Sequence, residues 1–162
     1  MIRLVPYILY CFLIGFHQII LRDVTAVYSF QMNLPAMIVV LIAMQKTEIT
    51  SVWFGFTAGI IVAAVSPELM GWHALFLSVI AYLTFYLSEH MNLDSFYTRI
   101  SILFGGILLH TAFTEIMLQP EAFLGLLFSS ILPDTIYTTI VASIYYLIKN
   151  EKLSIKKLKE SF

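Results

Sequence analysis

The sequence predicts an all-α integral membrane protein, a bundle of six transmembrane helices with both termini in the cytoplasm. Three observations carry that prediction. First, 60% of the 162 residues are hydrophobic and only 12% are charged, with a mean hydropathy of +0.90. Soluble domains carry about a quarter charged residues. Second, the stretches 24–45, 50–65 and 69–88 contain no Asp, Glu, Lys or Arg. A helix needs about 20 mostly apolar residues to cross a bilayer, and these runs lack the two-residue alternation of lipid-facing strands. Third, lysine and arginine are distributed unevenly. Six crossings put Arg3, Lys46, Arg99, Lys149, Lys152, Lys156, Lys157 and Lys159 on one side and Arg22 alone on the other. Such asymmetry marks the cytoplasmic side.

The elements follow in order. The first span, about 4–21, comes after Arg3 and lacks the small-x-small cleavage site of a leader, so it reads as a retained helix. In the second, about 25–44, Pro35 falls inside the span after Asn33, where a proline removes a hydrogen bond and kinks a helix. The third, about 51–66, starts near Trp53, a residue suited to the membrane interface, and is closed by Pro67. Gly71 and Trp72 open the fourth, about 70–88, and Pro120 follows the fifth, about 98–118. The sixth, about 125–148, has Pro133 one or two turns in and Tyr145 and Tyr146 at its inner end. Connections are short, so successive helices are antiparallel neighbours. The chain divides into a transmembrane domain, 1–148, and a basic cytoplasmic tail, 149–162. The tail reads either as a topology signal or as an amphipathic helix on an anionic leaflet. Cys11 is the single cysteine, which rules out a disulfide within the chain. No aromatics interleave with the basic residues, so nothing points to nucleic acid.

Two groups of residues stand out. Gly55, Gly59 and Ala63 recur every four positions on one face of the third helix. In lipid, helices associate through close van der Waals packing, which small side chains permit. This face is a seam within the bundle or a groove for a partner's helix, and Gly105 and Gly106 are candidate surfaces for the seam. The second group comprises His17, His110, Glu115 and Asp134, with His73 nearer the outer surface and Thr114 beside His110 on the fifth helix. An ionisable group at mid-bilayer costs about 2.5–3.5 kcal/mol, so such residues face the bundle interior. All fall from mid-depth outward. Three readings stay open: a self-satisfied network that fixes helix register, a partner contact, or a small-molecule pocket. The sequence has no metal-ligand spacing, no phosphate-binding glycine loop and no activated nucleophile, so no enzyme and no cofactor is expected.

From Trp53 to Tyr86 the chain resembles MreD, the small membrane subunit of the bacterial rod-shape machinery. The likeness rests on Gly55, Gly59, Ile60 and Ile61, then Gly71, Ala74 and Leu75. It extends to "NLPAMIVVLIAM" (33–44), to "LPDTIYTTIVASIYYLIKN" (132–150) and to the basic tail. One departure is Ala63, where many members carry an aspartate. The resemblance implies a non-enzymatic scaffold of the bacterial inner membrane that binds MreC. Through MreC it would join the RodA glycosyltransferase, a penicillin-binding transpeptidase and MreB. It also implies a fold similar to the substrate-binding S components of energy-coupling-factor transporters, and a vitamin-binding S component is the alternative function. Such subunits dock through an Ala-x-x-x-Ala face, and no two alanines here lie four apart.

Overall fold

The computed structural model describes residues 5–22, 24–26, 30–65, 67–91, 93 and 95–160, with backbone only at 70 and 149–160. It is helical, with no strand among the described residues. Helix α1 (Val5–Phe16) runs into a π-helical stretch, His17–Leu21. Then come α2 (Leu34–Ala43), α3 (Glu48–Ala63) and α4 (Met70–His90), the last entered through a 3₁₀ turn at Pro67–Leu69. Helix α5 (Phe96–Leu118) is followed by a 3₁₀ turn at Pro120–Ala122. The last rod comprises α6 (Phe123–Leu126), a π-helical stretch (Leu127–Ile131) and α7 (Leu132–Glu160). Three stretches are long and apolar enough to cross a membrane: Gly71–His90, Phe96–Leu118 and Pro120–Ile148. The other three apolar helices, Val5–Leu21, Leu34–Ala43 and Glu48–Ala63, are shorter.

Several boundaries differ from the sequence expectation, each for a local reason. The second helix starts at Leu34 rather than near residue 25. Asn33 caps it, its side-chain Oδ1 accepting the Ala36 N–H at 3.3 Å, and Pro35 occupies the first turn. A proline there lacks only an N–H that would have no helical partner anyway, so the expected mid-helix kink does not form. Pro133 acts differently. Its ring crowds the carbonyl four residues back, and the helix just before it widens to π geometry, with the Leu132 N–H bonded to the Leu127 carbonyl. At the other end, α7 continues as helix to Glu160 instead of stopping near 148. The side chains of Lys149, Lys152, Lys156, Lys157 and Lys159, like Arg3, lie outside the described residues.

Helix α2 is the core of the bundle. Eight of its ten residues are buried, and it packs against α3, α4, α5 and α7. The tightest pair is α3–α4, and its cause is the glycine face of α3. A Cβ on Gly55 would lie 2.6 Å from the Leu77 carbonyl oxygen. One on Gly59 would run into the Ala74 Cα and lie 2.5 Å from the His73 carbonyl oxygen. Those neighbours are backbone and cannot swing away. Ala63 is buried one turn further along. The face therefore meets α4, not the expected Gly105 and Gly106. A Cβ on Gly106 would instead lie 2.6 Å from the Val40 side chain of α2, whereas one on Gly71 or Gly105 would meet open space. Phe113 of α5 stacks on Phe76 of α4 with ring centroids 3.7 Å apart, which fastens the next helix to the pair.

Replacing Gly59 with Ala, and more so with Leu, is expected to destabilise the fold by at least about 1–3 kcal/mol, the cost of overpacking a filled contact. Gly105→Ala is expected to be neutral or slightly stabilising. Thermal unfolding of the purified variants in detergent reads the difference; equal midpoints would refute the close-approach account.

Candidate functional site

The polar residues gather at one end of the bundle, and the reason begins with backbone chemistry. Residues 31–33 precede α2 without helical hydrogen bonds of their own. A buried peptide N–H without an acceptor is costly, and in a membrane such irregular chain is tolerated only where protein satisfies it. The following helix does so. Asp134 Oδ1 accepts the Gln31 N–H at 2.9 Å, and Thr138 Oγ1 accepts the Asn33 N–H at 3.0 Å. Asp134 and Thr138 are one turn apart on α7, so one helix face supplies both acceptors. Ser130 donates to the second carboxylate oxygen of Asp134 at 3.2 Å, and Arg22 donates through Nε and a terminal nitrogen to Gln31 Oε1.

Asn33 is the hub. Because its Oδ1 serves the α2 cap, its Nδ2 is the donor to His110 Nδ1 at 2.8 Å and to Thr111 Oγ1 at 3.0 Å. His110 Nδ1 therefore accepts, and a neutral His110 carries its proton on Nε2. His110 is only 4% exposed, and that Nε2 has no partner. The His73 ring lies 5.8 Å from it, 3% exposed, with an unpartnered Nδ1. Buried polar groups are nearly all bonded in folded proteins; here two unpartnered nitrogens lie side by side, and His17 Nδ1 is a third elsewhere in the bundle.

Both rings line a cavity of about 130 Å³. Its other polar walls include Arg22, Asn33, Thr114, Glu115 and Asp134. The walls come from the end of the first rod, the start of α2, the end of α3, the start of α4, the end of α5 and the start of α7. Successive rods thus alternate in direction. Of the sequence-selected residues, the structure brings His110, Thr114, Glu115 and Asp134 together, with His73 added. Thr114 donates to its own helix, at the His110 carbonyl. His17 does not line the cavity; buried at the start of the π stretch, it is bonded to Thr25 Oγ1 at 3.2 Å. The glycine face reaches the site indirectly: the His73 backbone packs on Gly59, which sets where that ring begins.

Sequence reasoning missed Asn33, Gln31, Thr111 and Thr138 as members of the site. A usable signal existed for Asn33, since an Asn followed two positions later by Pro is a helix-start pattern. Thr138 carried none: threonines are common in such helices and usually bond their own backbone, as Thr138 also does at the Asp134 carbonyl.

A second feature lies on the side of the bundle. Ile100 and Phe104 of α5, with Ile136, Ile140, Ile144 and Leu147 of α7, wall an apolar groove of about 270 Å³. Thr139 and Ser143 also line it, each donating to its own helix backbone, which leaves the surface free of unmet hydrogen-bonding need.

No protein-family model, curated protein or solved structure matches the chain. Among the described residues, no group of three or more His, Cys, Asp or Glu is placed to hold a metal ion.

Asn33→Ala removes the α2 cap and the donor to His110 together. Loss of a cap costs about 0.5–2 kcal/mol and an orphaned buried acceptor about 1–3 kcal/mol, so a loss of stability of roughly 1.5–5 kcal/mol is expected. Nitrogen-15 NMR of histidine-labelled protein is expected to show the Nε2–H tautomer for His110 in the wild type. An Nδ1–H signal would overturn the assignment of the Asn33 amide.

Proposed function

We propose that this chain is a non-enzymatic scaffold of a bacterial inner membrane, the MreD-like subunit of the rod-shape machinery. In this reading all six rods cross the bilayer, with both termini in the cytoplasm and the polar cavity at the outer end. The short α2 fits such a crossing. Its ten residues rise about 15 Å, and the non-helical residues before it add up to about 3.3 Å each, against a hydrocarbon core of about 30 Å. The chain catalyses nothing itself. It holds the single transmembrane helix of an MreC-like partner, and through that partner it acts with RodA, a penicillin-binding transpeptidase and MreB to position peptidoglycan synthesis.

The observation that carries this reading is the lateral α5–α7 groove. It is apolar along its length, opens sideways, and has the small side chains Thr139 and Ser143 in its wall. In hydrocarbon, a helix gains affinity for a neighbour by packing closely over small residues. A second reading, a vitamin-binding S component, draws support from the polar cavity with its two unpartnered histidines. Size speaks against it. Small-molecule sites occupy about 300–1,000 Å³, and this cavity of about 130 Å³ has room for a few waters.

Affinity purification from solubilised membranes is expected to retain a single-span MreC-like protein. Ser143→Leu, which fills the groove wall, is expected to lower that retention at least tenfold, a loss of about 1.4 kcal/mol, without shifting the melting midpoint of the isolated protein. Recovery of an ATPase pair or of a bound vitamin instead would replace this reading with the transporter one.

A further inference from the structure

A third hollow, of about 310 Å³, runs beside α2 between α1 and α7, at a site distinct from both the polar cavity and the lateral groove. Its lining changes character along its length. Leu13, Leu34, Met37, Ile38 and Leu41 form an apolar shaft. The shaft follows α2 from Leu34 to Leu41, about 10 Å at 1.5 Å per residue. At the opposite end from the polar cavity, Tyr7 and Tyr10 of α1, Tyr145 of α7, and Gln45 and Lys46 after α2 frame the mouth. Among the described residues no hydrogen bond engages the three phenols, the Gln45 amide donates to the Leu41 carbonyl, and Lys46 is exposed. The mouth thus offers three O–H groups and an ammonium. These donors call for an acceptor-rich, negatively charged group, while the shaft calls for a hydrocarbon chain.

We propose that this hollow binds one anionic phospholipid, its acyl chain lying along α2 and its phosphate facing Lys46 and the tyrosines. An apolar partner helix fits the shaft but leaves the four donors unanswered. A neutral choline headgroup offers the same phosphate but sets a cation beside Lys46. The lipid comes from the leaflet on the lysine-bearing side. Bound there, it bridges α1 and α7, both of which also touch α2. This site rests on membrane location alone and stands whether or not the scaffold reading does.

The test uses purified full-length protein in detergent, titrated with phosphatidylglycerol or with phosphatidylcholine of the same chains, bound lipid being counted by native mass spectrometry. Phosphatidylglycerol is expected to bind more tightly. Lys46→Gln is expected to weaken it about fivefold, the effect of one lysine worth about 1 kcal/mol at an anionic surface, and to bring the two lipids closer together. Leu41→Trp fills the shaft and is expected to abolish retention. Should that variant fail to fold, Tyr7→Phe with Tyr10→Phe removes two donors at constant volume and is expected to weaken phosphatidylglycerol selectively. Equal affinity for both lipids in the wild type, or unchanged binding in Lys46→Gln, overturns the proposal. So does a photo-crosslinker at position 41 that captures protein rather than lipid in native membranes.

Discussion

Two backbone N–H groups, those of Gln31 and Asn33, set the terms for the polar end of this molecule. They belong to chain that is not helical, yet that chain leads directly into the most buried helix. Asp134 and Thr138 accept them from one face of α7. Asn33 then turns the satisfied segment to use: its oxygen caps α2 and its nitrogen binds His110 and Thr111. One asparagine therefore couples the start of α2 to α5, while its own amide ties the same point to α7. Remove that coupling, and the cavity loses the walls that give it shape.

The rest of the bundle divides into a rigid part and a yielding part. Helices α3 and α4 are pressed together where Gly55 and Gly59 bring backbone to backbone, and Phe113 on Phe76 extends that block to α5. Tightly packed interiors pass strain on and do not absorb it. On the other side, α1 and α7 leave hollows, and both the first and last rods change to π geometry near the polar end. Such local widenings often accompany functional sites. The lateral groove and the hollow beside α2 thus both border α7, away from the glycine seam.

Much of the helical order was legible in the sequence, because charge-free runs and terminal prolines are strong local signals. The third, fourth and fifth helices lie within a few residues of their expected limits. The second did not follow hydropathy: residues 25–33 are apolar enough to read as helix, but Asn33 and Pro35 together start the helix later. Hydropathy also says nothing about where a satisfied backbone lets the chain leave the helix, since the acceptors, Asp134 and Thr138, are a hundred residues away in sequence. The cluster of His110, Thr114, Glu115 and Asp134 was readable because ionisable groups are rare in such chains. Its hub was less so, because an asparagine beside a proline looks like punctuation. For the glycine face, the sequence allows both tight packing of the third helix on the fourth and a partner surface at Gly105 and Gly106, and the first of these forms. Spacing reveals that a face is small, but only the fold decides that α4, and not Gly105 on α5, comes to meet it.

The claim on which this account turns is that α7 side chains, not water, hold the chain before α2. Amide hydrogen exchange of Gln31 and Asn33, measured in lipid nanodiscs, tests it directly. Slow exchange is expected at both amides in the wild type, with selective acceleration at Gln31 in Asp134→Ala and at Asn33 in Thr138→Val. Fast exchange at both sites in the wild type, or rates indifferent to those substitutions, would contradict it.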